Sequence, residues 1–177
     1  YQQEEEWDQA ILVTQRLHDK TGQPMEQAIA QFYCELAEQA REEGDREEAQ
    51  KRIKQALASD PDCVRASMIR GAMAAAAGDY AEAIRAYQQV EKQDPAYLPE
   101  VSPALVRCYQ QRGAVEELLE YLQKLYAARG GATALLALVE TIERQRGKDE
   151  ALRYLRQHLR DHPSLRGVAR LMEMGAD

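Results

Sequence analysis

The sequence has few aromatic and β-branched residues and no long apolar run. Its 177 residues include one Phe, one Trp and nine Tyr, so aromatic side chains make up 6%. Sparse β-branched residues leave little from which strands form. No apolar run approaches the ~20 residues that a membrane-spanning helix needs. Ala, Leu, Glu, Gln and Arg dominate instead, and because all five favour helices, the composition predicts an all-α protein.

Cysteine is also scarce. Cys34, Cys63 and Cys108 lie far apart in the sequence and form no CxxC pair. This spacing favours free thiols in a reducing compartment, and we predict that Cys34 and Cys108 are buried. A catalytic thiol needs a neighbouring base and a lowered pKa, and no motif here supplies them. Because a glycine-rich phosphate loop and a serine nucleophile motif are absent too, the sequence predicts no enzyme activity.

Positive charge is in deficit. The formal net charge is −7 and the isoelectric point is about 5.1. Glu and Asp interrupt every cluster of Lys and Arg, whereas proteins that bind nucleic acids carry a basic face or stripe. We therefore predict no nucleic-acid partner. The short basic run of Arg144, Arg146 and Lys148 is suited to an acidic protein partner.

Histidines offer one weak metal motif. His158 and His162 have the i, i+4 spacing of two ligands on one helix face. Leu159 and Arg160 follow His158, so the glutamate of an HExxH motif is missing. The alternative is an imidazole near a helix C-terminus, where the helix dipole favours positive charge, and the same holds for His18. We predict no metal site and no catalytic residue.

The sequence does contain a period of 34 residues. Gly44-Asp45, Ala49 and Asp60-Pro61 recur 34 residues later as Gly78-Asp79, Ala83 and Asp94-Pro95. Such a period is typical of stacked helical hairpins of the tetratricopeptide repeat (TPR) type. We predict an all-α TPR solenoid that winds into a right-handed superhelix. Small residues at the repeated positions let paired helices approach closely, and each proline stops a second helix.

The period divides the chain into six segments. Residues 1–29 form the second helix of a truncated repeat and a linker, and residues 164–177 form a capping helix. Between them lie two regular repeats (30–63 and 64–97) and two degenerate ones (98–131 and 132–163). Pro99 and Pro103 stand where the first helix of repeat 98–131 begins, so that helix is expected to start late or bend.

The concave face of the array is the candidate binding site. In TPR arrays the first helices of successive repeats line a groove, and such arrays seldom carry chemistry of their own. Applied here, this geometry places the following residues on the groove: Cys34, Glu38, Arg41, Arg65, Met68, Arg107, Gln110, Glu140, Glu143 and Arg144. Their mixed charge favours a protein partner over a single acidic tail. The alternative is an unoccupied face that is merely soluble.

Five short segments resemble one family more closely than the general repeat. They are Glu6-Trp7, residues 30–37 (AQFYCELA), residues 109–111 (YQQ), residues 156–159 (RQHL) and His162-Pro163. In this order they are similar to the C-terminal part of the cytoplasmic TPR region of the lipopolysaccharide assembly protein B (LapB, YciM) family. The resemblance covers essentially the whole chain.

The resemblance implies a regulatory adaptor at the cytoplasmic face of the Gram-negative inner membrane. Members of the family promote degradation of the LpxC deacetylase by the FtsH protease, and PbgA (YejM) restrains them. The family's rubredoxin-like module, which holds iron or zinc, and its membrane helix are expected outside this segment, which would then have no cofactor and no membrane contact.

Two further expectations stay open. The alternative function is a general TPR peptide-binding module, such as a chaperone or an assembly factor for envelope machinery. An apolar edge near Tyr1, where a first helix would pack, makes a homodimer possible.

Overall fold

Helices account for all the regular structure in the computed structural model. The model describes residues 2–22, 24–129 and 131–175, without the side chains of residues 2–4 and Thr133. No strand occurs within these ranges, which confirms the predicted all-α class. The α-helices are α1 Gln2–Thr21, α2 Glu26–Glu42, α3 Arg46–Ser59, α4 Val64–Ala76, α5 Tyr80–Gln93, α6 Leu98–Arg112, α7 Val115–Arg129, α8 Ala132–Arg146, α9 Lys148–Asp161 and α10 Leu165–Gly175.

The helices form two compact units. Unit 1 extends to Val101 and unit 2 begins at Ser102. In unit 1, α2 packs on α3 and α4 packs on α5, while α4 also contacts α2 and α3. In unit 2, α8 packs on α7 and α9, and α10 packs on α8 and α9. No helix in the described ranges is long and apolar enough to cross a membrane.

A glycine and an aspartate join the two helices of each regular repeat. Gly44 has a φ of 82°, and its N–H donates to the carbonyl of Arg41 at 3.2 Å. The next N–H, that of Asp45, donates to the carbonyl of Ala40 at 2.8 Å. The Asp45 carboxylate then accepts from the N–H of Glu48 at 3.0 Å. Gly44-Asp45 therefore ends α2 in a Schellman motif and caps the start of α3.

The same arrangement recurs one period later. Gly78 donates to the carbonyl of Ala75 at 3.0 Å, and Asp79 donates to that of Ala74 at 2.9 Å. The Asp79 carboxylate accepts from the N–H of Glu82 at 3.0 Å. Local sequence and local structure thus repeat together.

The repeats pack through residues of complementary size. Ala37, Ala49 and Ala83 have no exposed surface. A Cβ atom built on Gly71 would lie only 2.6 Å from Cε1 of Tyr87. The small residues therefore allow close approach of paired helices, and the larger side chains fill the remaining space.

Two helices begin earlier than predicted. α2 starts at Glu26, so residues 26–29, which we assigned to the linker, are helical, and Ile29 is buried. α6 starts at Leu98, directly after a 3₁₀ turn at Pro95–Tyr97, and contains Pro103. The start of α6 is therefore not delayed. Pro99 lies in the first turn, where an N–H has no partner within the helix, whereas Pro103 lies inside α6 and removes one backbone hydrogen bond, so a bend there stays a prediction. Of the predicted segments, Tyr1, Gln23, Gly130, Ala176 and Asp177 lie outside the described residues.

Candidate protein-binding site

Four predicted groove residues lie on α2 and α4 of unit 1. Glu38 and Arg41 belong to α2, and Arg65 and Met68 belong to α4. The guanidinium of Arg65 lies 2.6 Å from the carboxylate of Glu35 and 3.8 Å from that of Glu38. The hydrogen bond with Glu35 raises the pKa of Arg65 above its ordinary value, so the cation persists. This cluster carries more negative than positive charge and holds its arginine in place.

Glu35 did not enter the sequence prediction. It lies one residue beyond Cys34, and its partner is 30 positions away in the sequence. The only sequence signal is that Glu35 and Glu38 are three residues apart, which places both near one helix face. Pairing between two helices is a property of their packing, so the 34-residue period does not reveal it.

Cys34 is a core residue. Its exposed fraction is 0%, so the prediction that it lines the groove is wrong for this residue. It packs in a cluster with Ala37, Ile53 and Ala66. Cys108 is buried as well, as predicted. A small side chain at position 34 suits the interior because α2 and α4 approach closely there.

A depression opens where α2 ends and α3 begins, against the last turns of α4. Its volume is about 330 Å³, and its lining consists of Arg41, Gly44, Arg46, Ala72, Met73, Ala76 and Ala77. Alanines and Met73 supply its apolar lining. Arg41 and Arg46 are both exposed, and neither forms an ion pair with any residue that the structure describes. We call this feature the arginine depression.

The arginine depression can bind a segment of another protein that carries a carboxylate. A guanidinium presents a planar set of N–H donors that fits a carboxylate, and a charge-assisted bond of this kind is stronger than a neutral one. Small apolar residues beside it leave room for a partner's side chain. Two cations that no described residue pairs thus give unit 1 a basic site in a chain of net charge −7. Arg46 was not among the predicted groove residues because it begins the second helix of its repeat, and only first helices were assigned to the groove.

Unit 2 contains the remaining predicted groove residues. These are Arg107, Gln110, Glu140, Glu143 and Arg144. The carboxylate of Glu143 lies 2.9 Å from the guanidinium of Arg170 on α10, so it contributes to the contact between α8 and α10. Arg107 and Arg144 are exposed and form no ion pair within the described ranges. As groove residues, these five remain predictions.

His158 lies in an aromatic cluster of unit 2. Its ring centroid is 4.3 Å from that of Tyr126, 6.0 Å from that of Tyr154 and 5.2 Å from that of His162. Burial, and then the nearby His162, lower the pKa of His158 below its ordinary value. Within the described residues, no group of three or more His, Cys, Asp or Glu side chains is arranged to hold a metal ion.

Comparison with known proteins identifies relatives in sequence. A tetratricopeptide repeat family model matches residues 34–97. Lipopolysaccharide assembly protein B of Escherichia coli K12 is 36% identical over 173 residues, which cover 98% of this chain and 44% of that protein. Lipopolysaccharide assembly protein B of Haemophilus influenzae is 29% identical over 177 residues, 100% of this chain and 44% of that protein. The chain thus spans less than half the length of these relatives.

Solved structures resemble the chain in fold. A tetratricopeptide repeat protein from Parabacteroides merdae superposes with a TM-score of 0.53 at 16% identity, over 99% of this chain and 75% of that one. The pilF protein of Pseudomonas aeruginosa gives a TM-score of 0.50 at 20% identity, over 100% and 80%. Likeness at these identities shows the fold alone, and it confirms the predicted TPR architecture. The chain has a tetratricopeptide repeat fold and is a homologue of lipopolysaccharide assembly protein B over almost all of its length.

Proposed function

We propose that the chain is a non-enzymatic TPR adaptor that acts in the regulation of lipopolysaccharide biosynthesis. The supporting observation is the 36% identity to lipopolysaccharide assembly protein B over 98% of the chain. Stacked helical hairpins present extended surfaces to protein partners and seldom carry chemistry of their own. An adaptor role agrees with both the fold and the relatives.

The arginine depression is the part of unit 1 that we assign to a partner. Arg41 and Arg46 pair with carboxylates of the partner, and an apolar side chain of the partner packs on Met73 and its neighbouring alanines. Both arginines are free to pair because no described residue competes for them. By contrast, Arg65 is already paired with Glu35 and helps to hold α2 and α4 together.

The finer proposal concerns proteolysis. We infer that the parent protein acts at the cytoplasmic face of the bacterial inner membrane, where it presents the LpxC deacetylase to the FtsH protease and is restrained by PbgA (YejM). An adaptor of this kind accelerates degradation by raising the local concentration of substrate at the protease. The sequence resemblance to the LapB family supports this proposal.

The test reverses charge in the parent protein. Arg41→Glu and Arg46→Glu together are expected to raise the steady-state level of the deacetylase, measured by immunoblot. Losing charge-assisted hydrogen bonds, each worth about 1.5–3 kcal/mol, weakens binding at least tenfold. Arg107→Glu examines unit 2 in the same way. Arg156→Glu is the matched control, since Arg156 is also exposed and unpaired within the described ranges but lies on α9.

Binding by the purified chain separates this function from the alternative. Purified deacetylase and a library of short acidic peptides are each titrated against wild-type chain and the double variant. Binding of peptides alone, with deacetylase levels unchanged in cells, favours a general peptide-binding module. Unchanged deacetylase levels and unchanged binding in folded variants would remove the arginine depression from both proposals.

A further inference from the structure

Two thiols that are distant in the sequence lie side by side in unit 1. Sγ of Cys34 is 3.7 Å from Sγ of Cys63. Cys34 lies in α2, and Cys63 is the residue that precedes α4. Both are free and buried, with exposed fractions of 0% and 3%. A disulfide brings its sulfurs to about 2.05 Å, so a modest closure of the gap would join them.

The surroundings of the pair favour a thiolate at Cys63. The hydrogen bond between the two sulfurs is the largest influence on the pKa of Cys63 and lowers it to about 7, whereas burial and the negative charge of Asp60 act in the opposite direction. Backbone N–H groups of Ala66 and Arg65, in the first turn of α4, lower it further. The same hydrogen bond raises the pKa of Cys34. One sulfur is thus prepared as a nucleophile beside a second that stays protonated.

We propose that Cys34 and Cys63 form a redox site, which a small peroxide converts to an intramolecular disulfide. In the first step the Cys63 thiolate attacks one peroxide oxygen, the O–O bond breaks, and the departing hydroxide takes a proton to become water. Cys63 is then a sulfenic acid. In the second step the Cys34 sulfur attacks the Cys63 sulfur, and the hydroxyl group leaves as water with the Cys34 proton. Two thiols and one hydrogen peroxide thus give one disulfide and two waters.

The disulfide would join the first helices of two successive repeats. Cys34 and Cys63 lie in the same buried cluster as Ile53 and Ile69. The charged pair of Arg65 and Glu38 lies close enough to act electrostatically on the Cys34 thiol. Oxidation would therefore fix α2 to the start of α4 within unit 1. A thiol reductant reverses the reaction by thiol–disulfide exchange.

Cys108 is an internal control. Burial raises the pKa of its thiol, and Arg107 opposes this only in part. Cys108 is a free, buried thiol, and Cys34 and Cys63 are paired with each other. Cys108 should therefore remain a thiol under conditions that oxidise the other two.

The experiment oxidises the whole chain with equimolar hydrogen peroxide, blocks remaining thiols by alkylation and maps the peptides by mass spectrometry. The expected product has lost two hydrogen atoms, has one alkylated residue, Cys108, and contains one peptide pair linked through Cys34 and Cys63. Cys108→Ala gives the same link. In Cys34→Ala the resolving thiol is missing, so the sulfenic acid at Cys63 persists and is trapped by dimedone.

The pH dependence of the alkylation rate of Cys63 provides a second measurement, which a purely structural role of the two cysteines would not change. In wild type, alkylation of Cys63 should reach half its maximal rate near pH 7. In Cys34→Ala the midpoint should rise, because the hydrogen bond that lowers the pKa of Cys63 is gone. Links to Cys108, links between two chains, or no loss of thiols would each overturn the proposal. Because the wild-type peptide map needs no variant, poor folding of an alanine variant leaves the proposal testable.

Discussion

Tyr87 and Gly71 form a close contact between the helices of the second regular repeat. Three ring atoms of Tyr87 lie within 2.9 Å of where a Cβ on Gly71 would stand. Tyr87 is 6% exposed, so the ring has little room to move aside. Interiors of this density do not absorb an added methyl group without displacing a neighbour.

Gly71→Ala is therefore expected to lower the free energy of unfolding by up to about 2 kcal/mol. Overpacking costs about 1–3 kcal/mol, and the roughly 1 kcal/mol that alanine gains over glycine within a helix offsets part of this cost. Chemical denaturation of both proteins measures the difference. In a Tyr87→Leu background the same substitution should be neutral or stabilising, and an equal loss in both backgrounds would refute the steric explanation.

Two contacts between single residues join helices that are not adjacent in the sequence. Cys63 contacts Cys34, which lies 29 positions earlier in the sequence, and Arg65 pairs with Glu35, which lies 30 positions earlier. Each pair joins α2 to the beginning of α4. The separations fall short of the 34-residue period because side chains on adjacent first helices meet at an offset along the helix axes. Repeat spacing therefore predicts which helices are neighbours but not which side chains touch.

At the scale of elements, each Gly-Asp pair performs two tasks. The glycine adopts a left-handed conformation that terminates one helix, and the aspartate accepts a hydrogen bond at the start of the next. In unit 2 the glycine persists at Gly113, with N–H donation to Gln110 at 3.0 Å, but Ala114 follows it and has no side-chain acceptor. Repeat 98–131 therefore keeps the turn and loses the cap.

We expect Asp45→Ala and Asp79→Ala each to lower the free energy of unfolding by about 1 kcal/mol. Both side chains are exposed, so the loss would reflect the missing cap rather than packing. Asp→Asn at either position is the matched control, because an amide oxygen still accepts the hydrogen bond. Equal losses for Asn and Ala would indicate that charge near the helix dipole matters more than the bond.

At the scale of the whole molecule, the outermost helix of each unit leaves large apolar side chains exposed. In unit 1, α1 packs on α2 and reaches α3 through the ion pair of Asp8 and Arg52, but Leu12, Val13 and Leu17 stay exposed. In unit 2, α10 leaves Leu165 91% exposed. Opening a helix that has neighbours on one side only breaks fewer contacts, and therefore costs less free energy, than opening a helix that is packed on both sides.

Amide hydrogen exchange should follow this order. Within unit 1 we expect α1 to exchange faster than α2 to α5, as measured by mass spectrometry of peptides after timed labelling. Asp8→Ala, which removes the ion pair with Arg52, should speed exchange in α1 and leave α4 and α5 unchanged. Uniform exchange across unit 1 would instead mean that it opens as one cooperative body.

The sequence determined the class of fold and most of the local structure. The Gly44-Asp45 and Gly78-Asp79 pairs, the terminating prolines and the row of small residues act within a repeat or between paired helices. These local effects have a fixed spacing, so a period of 34 residues reveals them. Residues 26–29 were missed because the helix signal there has no equivalent one period later.

Only the tertiary structure decided which side chains form sites. It buried Cys34 against Cys63 and paired Arg65 with Glu35. It also left Arg41 and Arg46, in the arginine depression, without an ion pair to any described residue. Each outcome depends on the distance and rotation between helices that are not adjacent in the sequence. Side-chain pattern along one helix fixes which face is buried, whereas the packing of several helices fixes which groups meet.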